Sequence, residues 1–402
     1  MATWVTIAFL FVWSFLELHI GIEAQKLSKE EDIELEKELK LLNKPAVTTI
    51  ETIYGEKYDC VDFYKQPAFD HPALKNHNFH HQMRPSSYPK NWKTFKNSST
   101  TNRSKNLWIN GKGCHAGTVP IKKTTKEDLI NAKLASKIYH TQYKPFTQQE
   151  QGTHYAILHT NYGTGKVFIG GGMESTVYNP KPITGTQYSS SQVKVANGAE
   201  SIEVGWTVNP TLNNDDRTGA ARCLNLHCAG FVLTRNDNAI DQTLEPVSER
   251  GGTIFVKRFL IYRDSPSGHW WLALGPERTK IGFWPNHIFT ELTKVATYIE
   301  WGGKVYSPPN VPSPPMGTGF GLCKHFLCQH TLLDAYCCRI GTVNESYVIV
   351  KATETSSYAD IPDHYQVLDD GIYDNFGHII YFGGPGAANL QMEKSSGVDF
   401  KR

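Results

Sequence analysis

Two segments of the 402-residue chain are built on one plan: Ser201-Ile202-Glu203-Val204-Gly205-Trp206-Thr207-Val208 and Tyr298-Ile299-Glu300-Trp301-Gly302-Gly303-Lys304-Val305. Each alternates apolar and polar residues with period two, the pattern of a half-buried β-strand. In the first, Ile202, Val204, Trp206 and Val208 make one face, with Ser201, Glu203, Gly205 and Thr207 opposite. In the second, Ile299, Trp301 and Val305 stand against Tyr298, Glu300, Gly302 and Lys304. A glutamate followed two residues later by a glycine therefore occupies the polar face of both. Glycine there removes a side chain that would hold off an approaching backbone. Two such strands would present two carboxylates over a bare floor fit for an extended peptide, the geometry of an acid-acting hydrolase. Water is a poor nucleophile and an amide nitrogen a poor leaving group. One carboxylate must therefore take a proton from water while a protonated partner polarises the carbonyl or protonates the amine. Two carboxyls in one cleft cannot both ionise cheaply, so their titration belongs to the pair and leaves base and acid unassigned. With 39 Asp plus Glu in the chain, a carboxylate on a strand face is by default only a solvated one, so the pair has to be supported by its surroundings.

Those surroundings begin with an apolar run from Trp4 to Ile22, interrupted by Glu17 and His19 and followed by Ala24 before Gln25. The layout is that of a secretory signal peptide over residues 1–24, and the interruptions argue against a membrane anchor. Roughly 375 residues remain, enough for two or three domains. A formal charge of +2 without a basic stripe gives no footprint for nucleic acid. Residues 27–43 read as a charged helix, residues 47–54 as a strand, and residues 126–138 as a short helix. The polar run Tyr139 to Thr153 reads as a linker. From His154 onward short strands dominate, punctuated by Gly163, Gly170-Gly171-Gly172 and Asn197-Gly198. No Lys-Ser/Thr follows the glycine triplet, so it is not a phosphate loop. The fold expected is all-β: an antiparallel β-sandwich over 146–402, preceded by a small α+β unit over 25–145.

Eight cysteines in an exported chain point to disulfides. Cys60 and Cys114 are the only two in the first half and are read as partners; Cys223 and Cys228 are spaced to staple a tight loop. For Cys323-Lys324-His325-Phe326-Leu327-Cys328-Gln329-His330, export and the Cys-x4-Cys spacing favour a disulfide over zinc. The partners of Cys337 and Cys338 stay open. His77, His80 and His81 read as a surface turn rather than as ligands. Sequons at Asn97, Asn102 and Asn344 suit a glycosylated surface. No cofactor is called for.

The whole series resembles the plant neprosin family. In the first half the likeness lies in Tyr58-Asp59-Cys60-Val61-Asp62, in Lys65 to Pro72, in Gly113-Cys114 with Gly117 to Ile121, and in Lys126 to Leu129. In the second half it lies in Ile202 to Trp206, Cys223 to Phe231, Trp270-Trp271-Leu272, Ile281 to Pro285, Ile299 to Gly303, and Gly377-His378 with Tyr381 to Gly386. The resemblance implies an exported glutamic endopeptidase, made as a zymogen, that favours acid pH and cuts after proline. Residues 25–145 would be the activation peptide covering the cleft, and Glu203 and Glu300 the catalytic pair. Partners would be proline-containing peptides, with no nucleic acid, and no membrane once the signal is removed. The mature protein would be extracellular or in the cell wall.

The chain departs from the family pattern in three places. Only Thr218-Gly219-Ala220-Ala221-Arg222 separates Arg217 from Cys223, where relatives carry a longer aromatic strand beside the Glu203 strand. Residues 319–363 diverge, and His364 and the Ala387 to Gln391 tail stand where the family has a pair of cysteines. The shortened strand predicts an unpaired edge and reduced activity. The runner-up reading is therefore a weak or inactive relative that binds extracellular protein or wall material through an aromatic cleft. A lectin-like sandwich would explain the fold class but not the two Glu-x-Gly strands.

Overall fold

Alternation becomes strand at both diagnostic segments. They form β7 (Glu200–Val208) and β13 (Tyr298–Tyr306), with strands numbered along the chain. The computed structural model describes residues 29–91, 107–130, 151–163, 165–210, 218–220, 230–324 and 328–387. Six strands make one antiparallel sheet in the order β16 (Thr355–Ala359), β4 (Thr153–Thr160), β13, β6 (Tyr188–Asn197), β7 and β8 (Thr218–Ala220). The second sheet runs β17 (Gln366–Tyr373), β18 (Gly377–Gly383), β14 (Ala335–Val343), β5 (Gly170–Thr176), β10 (Val256–Arg263), β11 (Trp270–Leu274), β12 (Thr279–Trp284) and β9 (Val232–Leu233). A ninth strand, β15 (Ile349–Lys351), pairs with β14. The expected antiparallel sandwich is thus observed.

The inner faces are the apolar ones. Val193, Val195, Val204, Trp206, Ile299 and Trp301 share a buried core with Met173, Phe259, Ile261, Leu272 and Ile380. The Trp206 indole crosses between the sheets to donate to Thr176 O at 2.7 Å, and the Ser175 and Ser191 hydroxyls meet at 2.7 Å. Gly170-Gly171-Gly172 is not the loop punctuation expected of it but lies within β5. A Cβ at Gly171 would stand 2.9 Å from the Ile299 side chain, so glycine lets the sheets close beneath the Glu300 strand.

The first half forms the expected α+β unit. It has helix α1 (Lys29–Leu42) and a three-stranded antiparallel sheet of β1 (Ala46–Glu51), β2 (Lys57–Asp62) and β3 (Thr118–Lys122). Cys60 and Cys114 are bridged as predicted. A further helix begins at Lys126 and is described to Ile130. This unit docks on the outer face of the nine-stranded sheet. Phe79 meets Phe283 edge to face at 5.1 Å, and Tyr88 meets Tyr262 at 5.1 Å. Gln66 pairs twice with the Leu233 backbone, Trp108 Nε1 donates to Asp237 O at 2.9 Å, and Ser87 donates to Asp264 through both N and Oγ. His77 is not on a plain surface turn: it stacks on Phe69 at 3.7 Å and on Phe79 at 5.2 Å within this seam. Among the described residues no group of side chains could hold a metal ion.

Cys323 and Cys328 form a disulfide, which settles that stretch against zinc. Cys337 and Cys338 are free thiols on β14 and, being adjacent in a strand, point to opposite faces. Asn344 lies, partly exposed, in the turn between β14 and β15, where its Oδ1 accepts from Val348 N at 3.0 Å. The signal segment 1–24, most of the Tyr139 to Thr153 linker, Cys223, Cys228, Asn97 and Asn102 lie outside the described residues. No described helix is long and apolar enough to cross a membrane.

The shortened strand meets the expectation of an open edge only in part. Thr218, Gly219 and Ala220 pair with Val208, Thr207 and Trp206, so the far end of β7 keeps a hydrogen-bonded neighbour. Among the described residues β8 does not reach Glu200 to Gly205, so the sheet edge stays open at Glu203 as the shortened strand implied.

Candidate active site

The two glutamates are not on neighbouring strands: β6 runs between them. Its hairpin with β7 turns at Asn197-Gly198, with Gly198 at a φ of +55° that suits glycine, and sets Lys194 opposite Glu203. The pairing of β6 with β13 sets the same Lys194 opposite Glu300. One row across the sheet therefore reads Glu203, Lys194, Glu300 and His159. A strand spacing of about 4.8 Å puts the glutamate backbones about 10 Å apart, and their side chains close that gap over the lysine. Lys194 Nζ lies 3.0 Å from Glu203 Oε1 and 3.5 Å from Glu300 Oε1.

Each carboxylate has further partners. Lys304 Nζ, two residues past Gly302 on the same face, reaches Glu203 Oε2 at 3.3 Å. The Tyr298 hydroxyl donates to Glu300 Oε2 at 2.7 Å, and Gln192 Nε2 donates to Glu300 Oε1 at 3.1 Å. All six side chains are buried. Burial alone would push the Glu203 carboxyl up, but the ammoniums of Lys194 and Lys304 outweigh it and hold it at about 2. Burial would likewise lower Lys194, and the two glutamates instead hold it above its usual range. Lys194 is thus charged, and Glu203 stays ionised far into acid.

Aromatic rings frame this polar centre. Tyr162 stacks on Tyr298 at 4.9 Å, Tyr188 stacks on Tyr306 at 5.8 Å, and Lys304 lies over the Tyr155 ring at 5.9 Å. The floor is as bare as the sequence implied, yet for a second reason. A Cβ at Gly205 would stand 1.8 Å from Ser191 O. One at Gly302, whose φ is +135°, would stand 2.5 Å from Ala156 O. The neighbouring backbones already require glycine at both places.

On the six-stranded sheet the glutamates take the face opposite Val204, Trp206, Ile299 and Trp301, whereas Phe79 and Tyr88 of the first unit meet Phe283 and Tyr262 on the outer face of the other sheet. Docking of that part lies on the opposite side of the sandwich from the carboxylates. Residues 131–150, which join the two units, lie outside the described residues. Lys194, Lys304, Gln192 and Tyr298 were not singled out as site residues from the sequence. Lys194 was within reach: counting back from the Asn197-Gly198 turn puts it opposite Glu203. The register of β13 against β6 is set by pairing over a hundred residues apart and leaves no such mark.

The class that fold and site define is an antiparallel β-sandwich with a segregated α+β first unit and two carboxylates sharing a buried lysine on one sheet. Residues 185–385 match the family model Neprosin, and residues 49–159 match the Neprosin activation peptide. The chain belongs to the Neprosin family. Among solved structures it is similar to scytalido-glutamic peptidase with a transition state analog inhibitor, at TM-score 0.30 and 9% identity over 57% of this chain and 97% of that one. It is also similar to SCP-B, a member of the Eqolisin family of peptidases in a complex with the tripeptide Ala-Ile-His, at TM-score 0.29 and 7% identity over 57% and 96% of the two chains. Both superpositions are loose.

Proposed function

We propose that this chain is an exported zymogen of a glutamic endopeptidase that cuts after proline at acid pH, with Glu203 and Glu300 as the catalytic pair. The observation that carries the reading is the convergence of both carboxylates on one buried ammonium, over a glycine floor, in an aromatic trough. The disulfides Cys60–Cys114 and Cys323–Cys328 support export.

The contacts divide the labour. Glu203, held ionised by two lysines, is the group that takes a proton from water. The water oxygen bonds to the scissile carbonyl carbon, whose π pair moves onto its oxygen. The oxygen pair then re-forms the carbonyl as the C–N bond breaks, and Glu300 gives a proton to the departing nitrogen. The proton on Glu203 then passes through solvent to Glu300, which returns the pair to its starting state, and the hydroxyl hydrogen of the new carboxyl group stays with the product. Acid suits this cycle because Glu203, held at about 2 by the two lysines, is still a carboxylate there.

The test uses the full chain, acid-treated, on a proline-containing peptide beside the Glu203→Gln variant. Cleavage carboxyl-terminal to proline by the parent and its loss in the variant are expected. A folded parent that leaves every peptide intact would sink the reading in favour of a binding protein.

A further inference from the structure

One step along the sheet from the glutamates, register sets Gly205, Gln192 and Gly302 side by side. Gln192 thus rises between two positions that carry no side chain. It is 2% exposed. Its Nε2 is used, donating to Glu300, but among the described residues its buried Oε1 has no hydrogen-bond donor against it. A buried acceptor without a donor lowers stability and is rare in native folds, so its presence asks for a reason.

The neighbouring donors are committed elsewhere. Lys194, Lys304 and Tyr298 point to the two carboxylates. A donor for Oε1 has to arrive from above the glycine floor. A peptide lying extended over Gly205 and Gly302 brings backbone N–H groups to that level, and a side chain at either glycine would hold it off. A role as a mere prop for Glu300 would use Nε2 and leave Oε1 unexplained.

We propose that Gln192 is a substrate-positioning residue: its Oε1 accepts a hydrogen bond from a backbone N–H of the bound peptide beside the scissile bond, while its Nε2 holds Glu300. This rests on the peptidase reading above and adds the group that registers the peptide over the pair. The N–H concerned belongs to a bond other than the one being cut, since the departing nitrogen must meet Glu300.

The experiment is a cycle between enzyme and substrate. A proline-containing peptide is made in versions whose backbone N–H groups, apart from that of the scissile bond, are replaced one at a time by ester oxygen. Each is assayed with the parent, Gln192→Met and Gln192→Glu, all acid-treated full chains, with Glu203→Gln as the inactive control. The parent should lose about tenfold in kcat/KM at one ester position. Gln192→Met, slower on every peptide, should lose less than twofold on going to that same ester. Gln192→Glu keeps a carbonyl acceptor when protonated, so it should regain the parent's ester sensitivity as the pH is lowered, and it serves should Gln192→Met fail to fold. Equal losses in parent and variants at every position overturn the proposal, whether Gln192 then props Glu300 or holds the attacking water. A parent that cuts nothing removes the peptidase reading itself, and this proposal with it.

Discussion

Lys194 touches both glutamates, so removing its charge should act on two quantities at once. The Lys194→Met variant leaves Glu203 with Lys304 as its remaining ammonium and should raise the Glu203 carboxyl from about 2 toward the usual 4.5. The acid limb of kcat/KM against pH should rise with it; a limb that stays put would show that Glu203 ionisation does not gate turnover. Breaking a buried ion pair on one side typically costs about 3–5 kcal/mol, which denaturant unfolding at pH 7 would read. In the parent, the Glu203 value in the fold lies below its unfolded one. Its contribution to stability is therefore complete above pH 4.5 and fades as the pH falls toward 2. Glu203→Gln and Glu300→Gln form the companion test. Each should lower kcat on the order of a thousandfold with the fold intact, and near-normal turnover in either would refute the pair.

At the scale of single strands, the two Glu-x-Gly segments depend on glycine for their own pairing. Gly205→Ala would drive a Cβ to 1.8 Å from Ser191 O, and Gly302→Ala to 2.5 Å from Ala156 O at a φ of +135°. Each should destabilise by about 3 kcal/mol, seen as a lower unfolding midpoint, before any effect on substrate. Gly163, at a φ of +71° with open space around it, is the control: alanine there should cost about 1 kcal/mol. A Gly205→Ala protein as stable as its parent would leave only the open-floor role for that residue. These strands also mark how far the sequence carries. Period-two alternation separated the two faces of β7 and β13, because the core has to take Trp206 and Trp301 on one side, but the half-buried strands it implied are buried on the polar face as well. The Asn197-Gly198 turn held the β6 to β7 register, and so Lys194 beside Glu203, in plain view. What no local pattern carries is that β6 separates the glutamates and that Lys304 reaches back to Glu203. Those facts follow from long-range pairing, where a charged residue on a polar face looks like any solvated one. The same limit hid the place of the first unit, since Phe79 and Tyr88 carry no sign of which sheet they will meet.

Across the whole molecule, the first unit is part of the hydrophobic core rather than an appendage. Phe63, Leu74, Phe79 and Val119 belong to one buried cluster with Trp271, Phe283 and Tyr262. Burying four such side chains is worth several kcal/mol at about 1.5–3 kcal/mol each, so cutting the chain between the units should not release the first one at neutral pH. Acid should loosen it, because the seam holds neutral imidazoles. Burial lowers His269 to about 4, with His287 and Arg263 acting the same way and Asp264 opposing; burial and His287 also lower His77. Their values in the docked state lie below the ordinary 6.5, so docking is at full strength above pH 6.5. It weakens as the pH falls toward about 4, where the separated surfaces bind protons that the seam excludes. Asp264 is itself held below 3.8 despite its burial by bonds from Ser267 and Ser87, so it keeps its grip on Ser87 across that window and confines the change to the imidazoles. The measurement is size-exclusion chromatography of chain nicked within residues 131–150. Co-elution of the two pieces is expected at pH 7 and separation near pH 4. Replacing His77 with Phe, which keeps the stacking on Phe69 and Phe79 but cannot take a proton, should move the separation to lower pH. Pieces that part at pH 7, or that part at the same pH with and without His77, would show that the seam is not what holds the activation segment to the enzyme.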